Sequence, residues 1–339
     1  MKTRRCESNT GRSQECLMDL GRLRLSSVAD QIVRSCVAVA PGEQVAVVAD
    51  LASDFAVVEA LTAAVLAARG EPTVVVMPPR QQAGDKATAV VRAALAGADV
   101  ILAPTTTALG FNEEFNDALQ RGARGLVLTG IRGENLVAGA ALANYDEVNA
   151  VTSRLADLAE AGATMRVTSD HGSELTASIR GVRVGRGASF AREPGQVSGF
   201  PSGECWLTPA EGSANGVLVA DGSAHMLGRL DQPLAVRFEN GWATDVTGGA
   251  QAADLVKIID AAENGRHLGE LSIGTNAMAR FTGNITEDKK GIGRVHFALG
   301  HSVVGSGGPP SPIHIDLLIL QPNVWIDDTP VVEHGRVCV

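Results

Sequence analysis

QVAVVADLASDFAVVEALTAAVLAARGEPTVVVMP, residues 44–78, decides the fold class of the first half of the chain. A Val-rich run (44–50) follows the turn residues "PGE". An Ala/Leu-rich stretch with helical spacing (55–70) comes next and ends at Gly70, read as a helix stop. A second Val-rich run (73–78) closes the unit. Continuous apolar strands on either side of a helix indicate a parallel sheet covered on both faces. The pattern extends outward. "KATAVVRAALAGA" (86–98) reads as a helix, and "DVILAP" (99–104) and "RGLVLTG" (124–130) read as strands. No strand here is followed by a GxGxxG turn, so the dinucleotide fingerprint is missing and the layering alone assigns no function.

The texture changes after the helix expected at 144–163. "TMRVTSD", "ELTASIRG" and "VRVGRG" (164–187) are short alternating runs bounded by turn residues. "LAVRFENGWATDVTG" carries an Asn240-Gly241 hairpin signal. One helix, 252–265, interrupts. The expected organisation is an N-terminal extension (1–27) that is flexible, an α/β domain with a parallel sheet (28–163), and an α+β domain of mainly antiparallel strands (164–339).

Composition narrows the class. The chain has 339 residues, 45% of them hydrophobic, so a large core is available. Its formal charge of −9 argues against binding nucleic acid through phosphate attraction. No run of 18 apolar residues exists, so no membrane span is expected. The five cysteines lack CxxC spacing and read as reduced thiols of a cytoplasmic protein.

Ionisable residues collect in apolar segments of the second half. In "SPIHIDLLI" (311–319), strand alternation puts His314 and Asp316 on one face, opposite Ile313, Ile315 and Leu317. In "GRVHFALG" (293–300), His296 shares its face with Ala298 and Gly300, which leave room for something to approach. Glu204 lies in "PSGECWLTP" (201–209) and Glu270 in "LGELSIG" (268–274). A buried ionisable group is costly unless it is paired or binds a metal. Taken together, three carboxylates and two imidazoles suit one or two divalent ions.

The ordered series "PSGECWLTP", "LGELSIG", "ITEDKKGIGRVHFALG" and "SPIHIDLLI" resembles the metallopeptidases of the aminopeptidase T and aminopeptidase S type, over residues 28 to 335. The resemblance implies metal ligands at Glu204, Glu270, His296, His314 and Asp316, with Glu270 bridging two ions. That family has a tyrosine seven residues beyond the histidine of the "HFALG"-like strand, where this chain has Val303. His301 is the candidate polar group in its place. A second branch of the same fold resembles 2,5-dihydroxypyridine dioxygenase, a mononuclear Fe(II) enzyme. It keeps the "HxD" pair, has histidine at the position of Glu270, and reads "WPSG" where this chain reads "FPSG" (200–203), but lacks the glutamate that follows, so the complete ligand set of this chain favours the two-metal hydrolase branch.

The resemblance therefore implies a metal-dependent hydrolase of an amide bond in a small or cyclic molecule. Zn, Co or Mn would be the metal, and Glu204 and His301 the catalytic groups. The alternative is an Fe(II) ring-opening dioxygenase of a hydroxylated N-heterocycle. The expected partners are a small-molecule substrate and a second copy in a homodimer, with neither nucleic acid nor membrane.

Overall fold

The computed structural model describes residues 20–82, 85–302 and 308–339. A five-stranded parallel sheet has the order Glu71–Met77, Gln44–Asp50, Val100–Ala103, Arg124–Val127, Val197–Gly199. Both faces are covered over the inner strands, while the edge strand Glu71–Met77 leaves Val74 and Val76 exposed. Val45, Val47 and Ala49 share a core with Val57, Leu61 and Val65 of the helix Phe55–Ala67. Ala46 and Val48 face the other way, into a core with Val91, Leu95, Phe115 and Leu119 of the helices Ala89–Ala96 and Glu113–Gln120.

The second half holds two antiparallel sheets. One has eight strands, in the order Trp242–Thr247, Leu234–Glu239, Asn215–Ala220, Glu174–Ser178, Thr164–Ser169, Pro322–Ile326, Thr329–Glu333, Arg336–Val337. The other has seven: Gly228–Arg229, Ser223–Ala224, His314–Ile319, Val295–Gly300, Leu268–Gly274, Glu204–Leu207, Val184–Gly187. They share one core, in which Phe238 and Phe297 meet edge to face with centroids 6.0 Å apart. Asn240 (φ 50°) and Gly241 (φ 82°) form the expected tight hairpin turn. The helix Tyr145–Ala161 bridges the halves: Tyr145 and Val148 enter the parallel-sheet core, Leu155 and Ala159 the antiparallel one.

Three expectations are corrected. The stretch taken as an extension to residue 27 is helical from Leu20 to Gln31, because Leu25, Val28, Ala29 and Ile32 recur at helical spacing and bury against the parallel-sheet layer. The boundary at 163/164 is crossed again. Val197–Gly199 returns as the fifth parallel strand, and Ala188, Ala191 and Phe200 pack into the first core. Gly70 is not the left-handed stop residue. Arg69 has that conformation (φ 64°), and Gly70 is small because a Cβ there would press on Val39 and Val65. Among the described residues, no helix is long and apolar enough to cross a membrane.

Candidate metal centre

Four neighbouring strands of the seven-stranded sheet carry the expected donors, where that sheet meets the parallel one. Residues 200–203 lead directly from the fifth parallel strand into the strand Glu204–Leu207. Ala298 lies opposite Asp316 on one side and Glu270 on the other, while Gly300 lies opposite His314 and Gly274 opposite Glu204. Small residues at these cross-strand positions clear the face on which the ionisable side chains converge. The register shifts between Leu268 and Glu270. The intervening Gly269 has no room for a Cβ against the carbonyls of Gly300 and His301. Such a bulge re-aims the next side chain, here Glu270.

Glu270 stands at the centre. Its Oε1 lies 2.9 Å from His296 Nε2 and its Oε2 lies 3.3 Å from His314 Nε2. His314 Nε2 is also 3.3 Å from Asp316 Oδ1, and His296 Nε2 is 3.6 Å from Glu204 Oε2. Two overlapping trios result, Glu204–Glu270–His296 and Glu270–His314–Asp316, with the donor atoms of each within 4.8 Å of one another.

These residues fit a cation. Glu204 Oε2 and Asp316 Oδ1 are buried without a hydrogen-bond donor, and His296 Nδ1 is buried without a partner. Buried polar atoms are seldom left so. His314 Nδ1 is 2.8 Å from the carbonyl of His301. Donation to that carbonyl keeps the proton on Nδ1, so Nε2, which faces the carboxylates, is the nitrogen that would give up its proton to a metal.

Electrostatics agree. Burial disfavours charge on Glu270, but His296 and His314 outweigh it and bring its pKa down to about 2. Burial likewise opposes charge on Asp316 and Glu204, and Lys289 leads the groups that hold both below the usual carboxylate range. Burial also works against the His314 cation, yet Asp316 and Glu270 raise its pKa to about 10. Every acid in the cluster is held ionised and positive charge is drawn to it.

The structure brings Glu204, Glu270, His296, His314 and Asp316 together. It does not bring in the His301 side chain, which is exposed one residue past the strand Val295–Gly300, with only its carbonyl reaching the centre. Val303 lies outside the described residues. The sequence reading missed Lys289, whose Nζ is 3.1 Å from Asp316 Oδ2, and Lys290, whose Nζ is 3.9 Å from Glu204 Oε1. Two lysines before a glycine read as a solvated turn, so their only signal was adjacency to the His296 strand.

A cavity of about 440 Å³ opens beside Glu204, between the two kinds of sheet. Val127, Ser198 and Phe200 line it from the parallel side, Trp206 and Lys290 from the other.

The parallel sheet, the two antiparallel sheets and the five donors gathered on four neighbouring strands define a fold with a candidate metal centre. The chain belongs to the NicX family, whose model, described as 2,5-dihydroxypyridine 5,6-dioxygenase, matches residues 25–339. The chain is 25% identical over 189 residues to the 2,5-dihydroxypyridine 5,6-dioxygenase of Pseudomonas putida, covering 51% of this chain and 54% of that one. It is 25% identical over 191 residues to aminopeptidase T of Thermus aquaticus, covering 49% and 47%. The chain thus spans about half the length of the curated relatives it matches. Among solved structures, the P. putida KT2440 dioxygenase superposes with a TM-score of 0.82 at 21% identity, over 94% of this chain and 98% of that one. AmpT from Thermus thermophilus gives 0.67 at 16%, over 94% and 100%. At these identities the superpositions define the fold.

Proposed function

We propose that the chain is an iron(II)-dependent ring-opening dioxygenase of a hydroxylated N-heterocycle, with Glu270, His314 and Asp316 holding the ion. The trio itself carries the proposal. One imidazole nitrogen and two carboxylates converge from two strands that flank the strand Val295–Gly300, a carboxylate-rich version of the three-donor site of non-haem iron oxygenases, which keeps positions open. Membership of the NicX family supports it. So does Val303, which cannot supply the hydroxyl donor of the aminopeptidase branch. When bound, iron(II) supplies the one-electron chemistry that dioxygen needs.

The chain's own residues do the rest. The His301 carbonyl fixes the His314 tautomer. Glu204, a carboxylate at the cavity wall, accepts the hydrogen bond of a ring hydroxyl and orients it. Phe200 and Trp206 give the planar ring an apolar wall. The test is oxygen uptake by the anaerobically iron-loaded protein with 2,5-dihydroxypyridine and related hydroxypyridines. Uptake matched to loss of ring absorbance supports the proposal, and absence of uptake across that panel refutes it.

One observation favours a second reading. The two oxygens of Glu270 face different imidazoles, the disposition of a carboxylate that bridges two ions in an amide hydrolase. Cleavage of aryl or aminoacyl amides with Zn, Co or Mn supplied would select it.

A further inference from the structure

Lys289 sets its ammonium beside a carboxylate of each trio. Its Nζ lies 3.1 Å from Asp316 Oδ2 and 3.8 Å from Glu204 Oε2, and its side chain is 15% exposed. An ammonium donates hydrogen bonds and offers no lone pair, so it cannot be a ligand. It satisfies carboxylates and repels a cation brought to the same oxygens.

The turn that delivers it is built. Asp288, fully buried, accepts hydrogen bonds from Thr282 N (2.6 Å), Gly283 N (2.9 Å) and Ser223 Oγ (2.8 Å). Asn284 caps the short helix before it by accepting from Thr286 N at 3.1 Å. Lys289 N then bonds Ile285 O at 3.1 Å. The backbone before the lysine is thus fixed at several points, and its side chain runs inward to the cluster.

Charge decides what this placement does. Glu204, Glu270 and Asp316 are three buried negative charges. Lys289 and one divalent ion neutralise them completely. A second divalent ion leaves an excess of positive charge in a buried site, and counting Lys290 as charged enlarges the excess. Buried charge without compensation is strongly unfavourable.

We infer that Lys289 supplies the positive charge of the Glu204–Glu270–His296 half of the cluster, takes the place of a second ion there, and limits the centre to one ion at Glu270, His314 and Asp316. The inference rests on the proposal that these three residues hold a metal. It makes Lys289 a positioning residue that sets the metal count, and so the choice between one-ion oxygen chemistry and two-ion hydrolysis on this scaffold.

The experiment is a metal count on the full chain. Protein stripped with a chelator is reloaded with excess Co(II) or, anaerobically, Fe(II), then desalted and analysed by mass spectrometry of the metal. The expected content is one ion per chain for the unmodified protein and for Lys289→Arg, rising toward two for Lys289→Gln and Lys289→Met, with circular dichroism reporting that each variant is folded. Two ions in the unmodified protein would overturn the inference, as would one ion in folded Lys289→Gln and Lys289→Met. Should both neutral variants fail to fold, the unmodified count still decides. One ion per chain with no oxygen uptake on hydroxypyridines supports the role of Lys289 while removing the dioxygenase proposal. Two ions remove the role of Lys289 whatever the protein catalyses.

Discussion

Asp50 and Asp316 are both buried carboxylates on strands, and their surroundings differ in kind. Asp50 ends the parallel strand Gln44–Asp50 at 1% exposure. Its Oδ1 accepts from Ala52 N at 2.9 Å, and its Oδ2 accepts from Thr106 N at 2.6 Å and from Thr106 Oγ1 at 2.8 Å. Arg124 in the same layer is equally well supplied. It donates to both oxygens of Glu43, at 2.8 and 2.7 Å, and to the carbonyls of Val37 and Ala38. In the antiparallel half, Asp316 at 7% exposure has an oxygen with no donor, as does Glu204 nearby. The chain completes the hydrogen bonding of Asp50 and Arg124, and leaves an oxygen of Asp316 and of Glu204 without a donor. Both carboxylates are buried, so it is the oxygen left without a donor that sets Asp316 apart.

Substitutions in the two regions should fail in different currencies. The largest effect is expected in the cluster. His314→Ala removes a donor from the trio and should lower metal content to near zero and activity by more than about 100-fold, the upper end of what loss of a mere supporting contact costs. The protein should remain folded. Full metal content in His314→Ala would make the pair His314–Asp316 structural and erase the contrast with Asp50.

Arg124→Leu should come next, in stability. It leaves Glu43 and two carbonyls without their donor, and breaking a buried ion pair by removing one partner costs about 3–5 kcal/mol. Denaturant unfolding should show that loss with the metal count unchanged. Asp50→Ala should cost less, about 1–3 kcal/mol for unpaired loop donors, again with metal and turnover retained. A loss of metal in either variant would show that the two regions are not independent.

The smallest effect is a pH dependence. Burial works against the charge of Glu43, but Arg124 and Ala40 N outweigh it and hold its pKa below the ordinary 4.5. A folded pKa below the unfolded one gives stability that is present above about pH 4.5 and lost as pH falls through the folded value. Glu43→Gln should therefore flatten the acid limb of the stability profile. An unchanged limb would assign the acid sensitivity to other groups.

The parallel sheet was readable because strands buried on both faces must be apolar throughout, as "QVAVVAD" and "DVILA" are. The pairing of His314 with Asp316 followed from strand alternation alone. Glu204 and Glu270 stood out as carboxylates in apolar, glycine-flanked segments, but a glutamate after a glycine is ordinarily a solvated turn residue, and the resemblance was needed to make them ligands. The same alternation that joins His314 to Asp316 sets His301 off the site, and the main-chain carbonyl through which it acts is invisible in sequence. Val197–Gly199 was too short to show any period. Lys289 was unreadable for a physical reason: lysines beside a helical turn are ordinarily solvated, and only the buried anchor at Asp288 turns this one inward.

The central claim is that Glu270, His314 and Asp316 converge to hold a metal ion. Anomalous diffraction at the iron edge, from crystals grown anaerobically with Fe(II), tests it most directly. The account predicts a peak within bonding distance of Glu270 Oε2, His314 Nε2 and Asp316 Oδ1, and none between Glu204 and His296. Absence of a peak at that trio in iron-loaded crystals would contradict the account.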